Sequence, residues 1–471
     1  MYNIPGDPPA ETPTEAPLAV TRRTILSLAL PALGALAAGP MYLLVDTAIV
    51  GHLGRVPLAG LAVAGTVLTA VLSMATFLEY GTTGGVARAL GAGRREAALD
   101  LAVQATWLAL VTGLLMTAAV ELAAPTVVAV ISGGDAGVQQ QALTWLRVAA
   151  LGLPFVCVAL AGQGWLRGVQ DTVTPFAVVL TANAVSAALS AVLVYGAHLG
   201  IRGSAIANAL AQSASAVIFA AALARRGAHL RPSPRRMAVQ LAAARDLGTR
   251  TLAFLVSFSV ATAVAAHIGP VTVAAHQIAI QLWSFLALSL DALAIAAQAL
   301  VGSAVGAGDV AAAKELARRL VRWGLVTGTA VSVVLLAGTT LIPRLFTSDP
   351  AVLATVRSAW WYLALMQPAA AVVFVLDGVL IGAGDTAYLA AVTTGAGLLV
   401  YLPLALLAGA AGLGLGGVWF GLTCFVLVRL AACLVRMRGT RWWRRGMEAA
   451  RASSHPADSA PGHRESAGAP R

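Results

Sequence analysis

Charge is what this chain lacks. Only 11% of its 471 residues are Asp, Glu, Lys or Arg, where a soluble globular protein carries about 25%. With 59% of residues hydrophobic and a mean hydropathy of +0.82, the charges are too few to cover a water-facing surface. Cysteine is scarce too. Cys157, Cys424 and Cys433 all fall in apolar runs without metal-ligand spacing, so they read as small buried hydrophobes. The Gly-Ala-Gly segments at 91–93 and 306–308 have no following Lys-Ser/Thr and no preceding strand, so they are turns rather than phosphate loops. No metal cluster and no nucleophile beside a base supports an enzyme. The net charge of +11 raises the question of nucleic acid. The basic residues sit in alternate loops instead, so nucleic acid is not expected as a partner.

What is present is apolar length. Runs near 20 residues, such as 101–120, 321–342 and 387–408, match a hydrocarbon layer of about 30 Å at 1.5 Å per residue. Twelve spans are expected, near 25–50, 58–86, 99–121, 143–165, 175–196, 203–224, 247–268, 274–302, 320–342, 358–381, 388–409 and 415–436. Arg88, Arg94, Arg95, Arg167, the arginines of 225–250, Lys314 to Arg322 and Arg436 to Arg445 fall at one end of the bundle. The positive-inside rule puts that end, and both termini, in the cytoplasm of a cell whose inner (cytoplasmic) membrane holds the chain. The expected organisation is a disordered cytoplasmic tail at 1–21, an N-terminal six-helix lobe at 22–224 and a basic cytoplasmic linker at 225–246. A C-terminal six-helix lobe at 247–440 and a largely disordered cytoplasmic tail at 441–471 follow.

The chain repeats itself. Val45-Asp-Thr-Ala-Ile-Val-Gly-His52-Leu-Gly54 lines up with Val260-Ala-Thr-Ala-Val-Ala-Ala-His267-Ile-Gly269, an offset of 215 from Val45 to Val260. Gly168-Val-Gln-Asp171-Thr172 meets Gly382-Ala-Gly-Asp385-Thr386 at 214. Six spans per half give both halves the same orientation, so the repeats are parallel. The fold class expected is an all-α polytopic membrane protein with two pseudo-symmetric six-helix lobes around a central cleft. Rocking one lobe against the other gives alternating access.

The copies differ where chemistry is expected. Asp46 has Ala261 as its counterpart, and Asp377 has Gln163. A lone acid inside an apolar helix costs about 2.5–3.5 kcal/mol on insertion scales. Tyr42 shares its helix face at i, i+4. Asn183, Ser186 and Ser190 form a stripe on the fifth span, and Asn208 and Gln212 a pair on the sixth. Burial disfavours the charged form of a carboxyl, so such an acid can take and release a proton; ionised, it can instead hold Na⁺ with hydroxyl and amide oxygens. The plainer reading of these polar residues is interhelical glue. Gln277, Ser284, Asp291 and Gln298 lie at heptad spacing on the eighth span with Gln281 beside them, a candidate cleft lining. Asp291 and Asp377 are candidates for attracting cationic substrate. Glu79 is either functional or near a lobe surface. His52 and His267, equivalently placed, read as helix-end residues. Pro31 lies about four turns before Asp46 and is a candidate hinge.

Leu44-Val-Asp46-Thr-Ala-Ile-Val-Gly-His52-Leu-Gly54, Leu166-Arg-Gly168-Val-Gln170-Asp, Asp291 with Ala299-Leu-Val-Gly302, and Leu376-Asp377-Gly378 together resemble the multidrug and toxic compound extrusion (MATE) family, DinF-like branch. The resemblance covers about residues 22–440. It implies a monomeric cation antiporter exporting amphipathic, often cationic, drug-like molecules, with Asp46 as coupling acid and Tyr42 and Pro31 matching. The coupling ion, H⁺ or Na⁺, is the one cofactor implied. The family often has a second acid on the fifth helix where this chain has Ser186 and Ser190, which favours H⁺. The alternative is a flippase or exporter of a lipid-linked or metabolite substrate in the same superfamily. Such proteins often have fourteen spans and basic clefts; here the spans number twelve, and Arg429 is the main candidate buried base.

Overall fold

The computed structural model describes residues 22–452. The tails expected at 1–21 and 453–471 lie outside the described residues. In chain order the helices are α1 (Arg22–Gly51), α2 (Arg55–Gly91), α3 (Arg95–Ile131), α4 (Ala136–Ala150), α5 (Leu153–Gly168), α6 (Val173–Ala191) and α7 (Ile201–Ala224). The second half adds α8 (Pro234–Ile268), α9 (Pro270–Gly306), α10 (Val310–Ala337), α11 (Pro350–Leu365), α12 (Gln367–Ala383), α13 (Thr386–Ala396), α14 (Leu402–Ala410), α15 (Gly414–Arg438) and α16 (Arg441–Ala452). A π turn, Val192–Gly196, ends α6, and another, Gly397–Tyr401, joins α13 to α14.

Ten spans are long and apolar enough to cross a membrane, and two bent pairs, α4/α5 and α11/α12, complete the twelve. Both pairs bend by 51°. The cause is local. Pro154 and Pro368 each stand second in the inner helix of the pair, where a missing N–H and a fixed φ suit a helix start and not a helix interior.

The backbone carries the duplication. Gly54 and Gly269, Gly93 and Gly308, Gly200 and Gly414 are paired positive-φ sites at the repeat offset. So are Gln170, at φ 62°, and Gly384, at φ 83°. One copy therefore holds a glutamine where the other uses the residue that adopts this conformation freely.

The lobes meet at the arginine-rich end of the bundle. There Gly91 packs on the backbone of Ser303 and Gly306 on that of Arg88, with no room for a Cβ at either. Arg88 Nη1 donates to the carbonyls of Gly382 at 2.7 Å and Ile381 at 3.2 Å. Along α9, Leu290 and the stretch 292–302 are buried, whereas Gln277, Gln281, Ser284 and Phe285 are exposed. The lobes are thus closed at the arginine-rich end, and the central cleft opens toward the other. Outward-facing leucines such as Leu44, Leu122 and Leu399 stand exposed, as they must where lipid covers them.

Two sequence expectations change. The linker expected at 225–246 is a loop only to Ser233, because Pro234 starts α8 and the basic stretch continues as helix. The tail expected from 441 begins with α16, whose Trp442 is fully buried in the core between α9, α12 and α15. An indole supplies enough apolar area to dock a short, otherwise basic helix.

Candidate functional site

Asp46 is 1% exposed. α1 runs unbroken through Pro31 and Pro40 and packs on α6 and α9, turning Val45 and Leu44 outward and Asp46 inward. Its carboxylate meets hydroxyls only. Ser190 Oγ donates to Oδ1 at 3.0 Å, and Ser204 Oγ lies 2.7 Å from Oδ1 and 2.8 Å from Oδ2. Trp145 Nε1 donates to Ser204 Oγ at 3.1 Å. That bond occupies a serine lone pair and leaves the serine hydrogen for the acid. Tyr42 does not bond the acid; Ser186 Oγ donates to the Tyr42 hydroxyl at 3.0 Å. Asn183, Asn208 and Gln212 are half-buried and are not hydrogen-bonded to Asp46. Of the expected stripe, the serines reach the carboxylate or its tyrosine, and the amides do not. The counterparts of Asp46, Trp145 and Ser204 in the second lobe are Ala261, Ala359 and Val418, all buried in an apolar core. The polar pocket exists in one lobe only.

A second set of polar groups crosses the middle of the molecule. Glu79 is 6% exposed and ion-paired with Arg167, which is 1% exposed. Gln163 Oε1 accepts from Arg167 Nη2 at 3.4 Å, so it steadies this pair. Tyr80 Oη donates to Asp291 Oδ2 at 2.6 Å from the opposite lobe, and Gln298 Nε2 donates to the Tyr80 carbonyl. In the second lobe Arg250 and Arg429 both donate to Asp377 Oδ2 at 2.6 Å.

Three expectations are corrected by these pairs. Asp377 is not a free cleft acid, since two guanidiniums hold it. Arg429 is buried as expected but is not the main buried base, since Arg167 is buried as deeply. Arg167 and Arg250 are not loop charges, since each has turned inward to an acid on a neighbouring helix, the arrangement a low-dielectric interior demands. Gln277 and Gln281 are exposed on α9, at the open half of the cleft. Pro31 is half-buried on α1, beside the contact of Ala32 with Ala292 and Ile295. His52 and His267 each bond through Nδ1 to the carbonyl four residues earlier, Ala48 at 2.7 Å and Ala263 at 2.8 Å.

The MatE family model matches residues 31–193 and 249–407, one segment in each lobe. The chain belongs to the MATE family. It is 35% identical over 432 residues to Protein DETOXIFICATION 44, chloroplastic, of Arabidopsis thaliana, covering 88% of this chain and 82% of that one. It is 31% identical over 445 residues to DNA damage-inducible protein F of Escherichia coli strain K12, covering 90% of this chain and 93% of that one. A crystal structure of a MATE protein in the bent conformation shares the fold, with a TM-score of 0.81 at 20% identity over 92% of this chain and 96% of that one.

Within this MATE fold the residue the sequence reading missed is Ser204, with Trp145 behind it. A signal was available. Ser204 stands one helical turn before Asn208 and directly after the Gly200–Gly203 turn. Choosing it needed the rotation of α7 against α1, which periodicity within one helix does not give.

Proposed function

We propose that this MATE-family transporter is a secondary antiporter that exports amphipathic small molecules and couples their movement to H⁺ through Asp46. The single observation that carries the reading is how its buried acids are satisfied. Among the described residues the buried carboxylates are Asp46, Glu79, Asp377 and Asp385. Glu79 pairs with Arg167, Asp377 with Arg250 and Arg429, and Asp385 with Arg436. Asp46 alone has hydroxyl partners and no base. It can gain a proton without abandoning an ion pair. A Na⁺ site calls for several oxygen ligands and negative charge; one acid with two serines supplies less than that and supports H⁺ over Na⁺.

The arginine-rich, closed end is the cytoplasmic one by the positive-inside rule, with the cleft facing outward and both chain ends inside. The names of relatives agree with efflux, one being called a probable multidrug resistance protein. The test is uptake of an amphipathic fluorescent dye into proteoliposomes under separate H⁺ and Na⁺ gradients. The wild type should respond to the H⁺ gradient, and Asp46→Asn should lose the response. Undiminished gradient-driven transport by Asp46→Asn overturns the assignment.

A further inference from the structure

The repeat is broken at one further place. Gly81, Gly85 and Arg88 stand at i, i+4 and i+7 on α2, one stripe of the helix. At the repeat offset of 215 their counterparts on α9 are Ala296, Leu300 and Ser303. Ala296 and Leu300 are buried in an apolar core. The two glycines of α2 meet no such packing. A Cβ at Gly81 would touch only Leu247 Cδ1, at 3.9 Å, and one at Gly85 only Leu101 Cδ1, at 3.8 Å. Both line a cavity of about 200 Å³ between α2, α3 and α8. The cavity is graded along its length. Phe77, Leu78, Ala105 and Leu108 wall one end, while Arg88, Arg94 and Gln240 stand at the other, the arginine-rich end of the bundle. Phe77 lies eleven residues before Arg88 on α2, about 16 Å of helix. Val111, one turn beyond Leu108, and Leu241, beside Gln240, are exposed apolar residues on the rim, as a lipid-facing opening requires.

Arg88 is half-exposed and only partly engaged. Its Nη1 gives its hydrogens to the carbonyls of Ile381 and Gly382. The Nη2 and Nε hydrogens find no acceptor among the described residues, and neither nitrogen is sealed from the surface as Nε of Arg167, Arg250 and Arg429 is. The two carbonyls belong to the last turn of α12, whose dipole supplies about half a negative charge, less than the guanidinium carries. The acids of the flanking segments are engaged elsewhere. Asp100 pairs with Arg236 at 2.9 Å and Asp246 with Arg245 at 3.1 Å. Glu96 is left to set against Arg88, Arg95 and Arg235. The mouth of the cavity is therefore net positive.

We propose that this slot holds an anionic phospholipid from the leaflet at the arginine-rich end, its phosphate on Arg88 and one acyl chain along the glycine stripe. Phosphate oxygens accept the Nη2 and Nε hydrogens side by side, the geometry a guanidinium favours. The chain runs toward Phe77 and Leu108, where the walls are apolar. The cavity is charged at the membrane surface and apolar toward its middle, so its polarity runs as a lipid's does. A small soluble anion would leave the apolar end unfilled. Basic pockets between helices are the places where anionic headgroups settle. The walls come from both lobes, α2 and α3 from the first and α8 from the second, so a bound lipid ties the lobes together where they are closed. Such a lipid binds whether or not Asp46 carries the proton, so the transport reading stands or falls separately.

The experiment is native mass spectrometry of the full chain, stripped of lipid in a neutral detergent and titrated with phosphatidylglycerol or phosphatidylcholine of the same chain length. Glycerol 3-phosphate, the headgroup without chains, is the competitor. The first phosphatidylglycerol should bind at least about tenfold tighter than phosphatidylcholine, and glycerol 3-phosphate at the same concentration should not displace it. Arg88→Gln should erase the preference. Gly85→Leu, which fills the slot and removes no charge, should weaken phosphatidylglycerol binding by about tenfold or more. Arg444→Gln, an exposed arginine of the same end, should leave it within about twofold of wild type. The proposal is overturned if the two lipids bind alike, if glycerol 3-phosphate displaces the lipid, or if either Gly85→Leu or Arg88→Gln keeps wild-type affinity. Equal losses for Arg88→Gln and Arg444→Gln overturn it too, since they mean a diffuse basic surface rather than a site. Should Arg88→Gln not yield folded protein, the lipid comparison and Gly85→Leu decide.

Discussion

Ser204 Oγ stands within 2.8 Å of both carboxylate oxygens of Asp46. One hydroxyl carries one hydrogen, so at any instant it donates to one oxygen and can swing to the other. A protonated Asp46 reverses the bond: the acid donates and the serine accepts. The pair therefore serves either protonation state without moving a backbone atom. Ser190, with a single contact at 3.0 Å, serves one oxygen only.

It follows that the two serines are unequal. Loss of a hydrogen bond to a charged group costs about 1.5–3 kcal/mol, and about 1.4 kcal/mol is tenfold in rate. Ser204→Ala should slow H⁺-driven dye transport in proteoliposomes by about tenfold or more. Ser190→Ala should slow it by about threefold or less. Equal effects, or a larger effect of Ser190, contradict the geometry.

The fold was legible because membrane helices announce themselves by length and the duplication by Gly, His and Asp-Thr at one offset. Asp46 was legible because one copy has an acid and the other Ala261. The arginines were not. Arg167 follows an apolar run and Arg250 precedes one, and from sequence alone either reads as a loop charge. Their inward turn depends on acids far along the chain, Glu79 and Asp377, and long-range pairing leaves no periodic trace. The docking of α16 was missed for a related reason. Its composition is that of a solvated basic tail, and only the burial of Trp442 outweighs it.

Tyr80 and Asp291 form a hydrogen bond between lobes at the closed half of the cleft. Tyr80→Phe and Asp291→Asn should each destabilise the detergent-solubilised protein by about 1–3 kcal/mol. The double variant should cost clearly less than the sum, because the second change removes a partner already lost. Additive losses in melting experiments would show that the two groups do not act as a pair.

Gln170 holds φ at 62° where its repeat mate is Gly384 at 83°. A left-handed conformation costs a side-chain-bearing residue roughly 1–2 kcal/mol. Gln170→Gly should relieve most of that and raise the melting temperature, without altering transport. Gly384→Ala should lower it, and more steeply, because its Cβ would also press on the Arg88 guanidinium, whose carbon and two terminal nitrogens lie 3.2–3.5 Å away. A drop for Gln170→Gly would mean that its side chain matters more than its backbone.

The last expectation concerns α16. Trp442 is fully buried against the ends of α9 and α12, and Gly446 fits against the Ala383 carbonyl with no space for a Cβ. Trp to Ala in a core costs about 3–5 kcal/mol. Trp442→Ala should therefore lower the melting temperature markedly, and so should ending the chain at residue 440. Arg444→Ala, on the exposed face of the same helix, should change it little. A chain cut at 440 that melts as the full-length protein does would return this segment to the status of a dispensable tail. A loss confined to Trp442→Ala and the truncation would make α16 the clasp on the end where the lobes are closed.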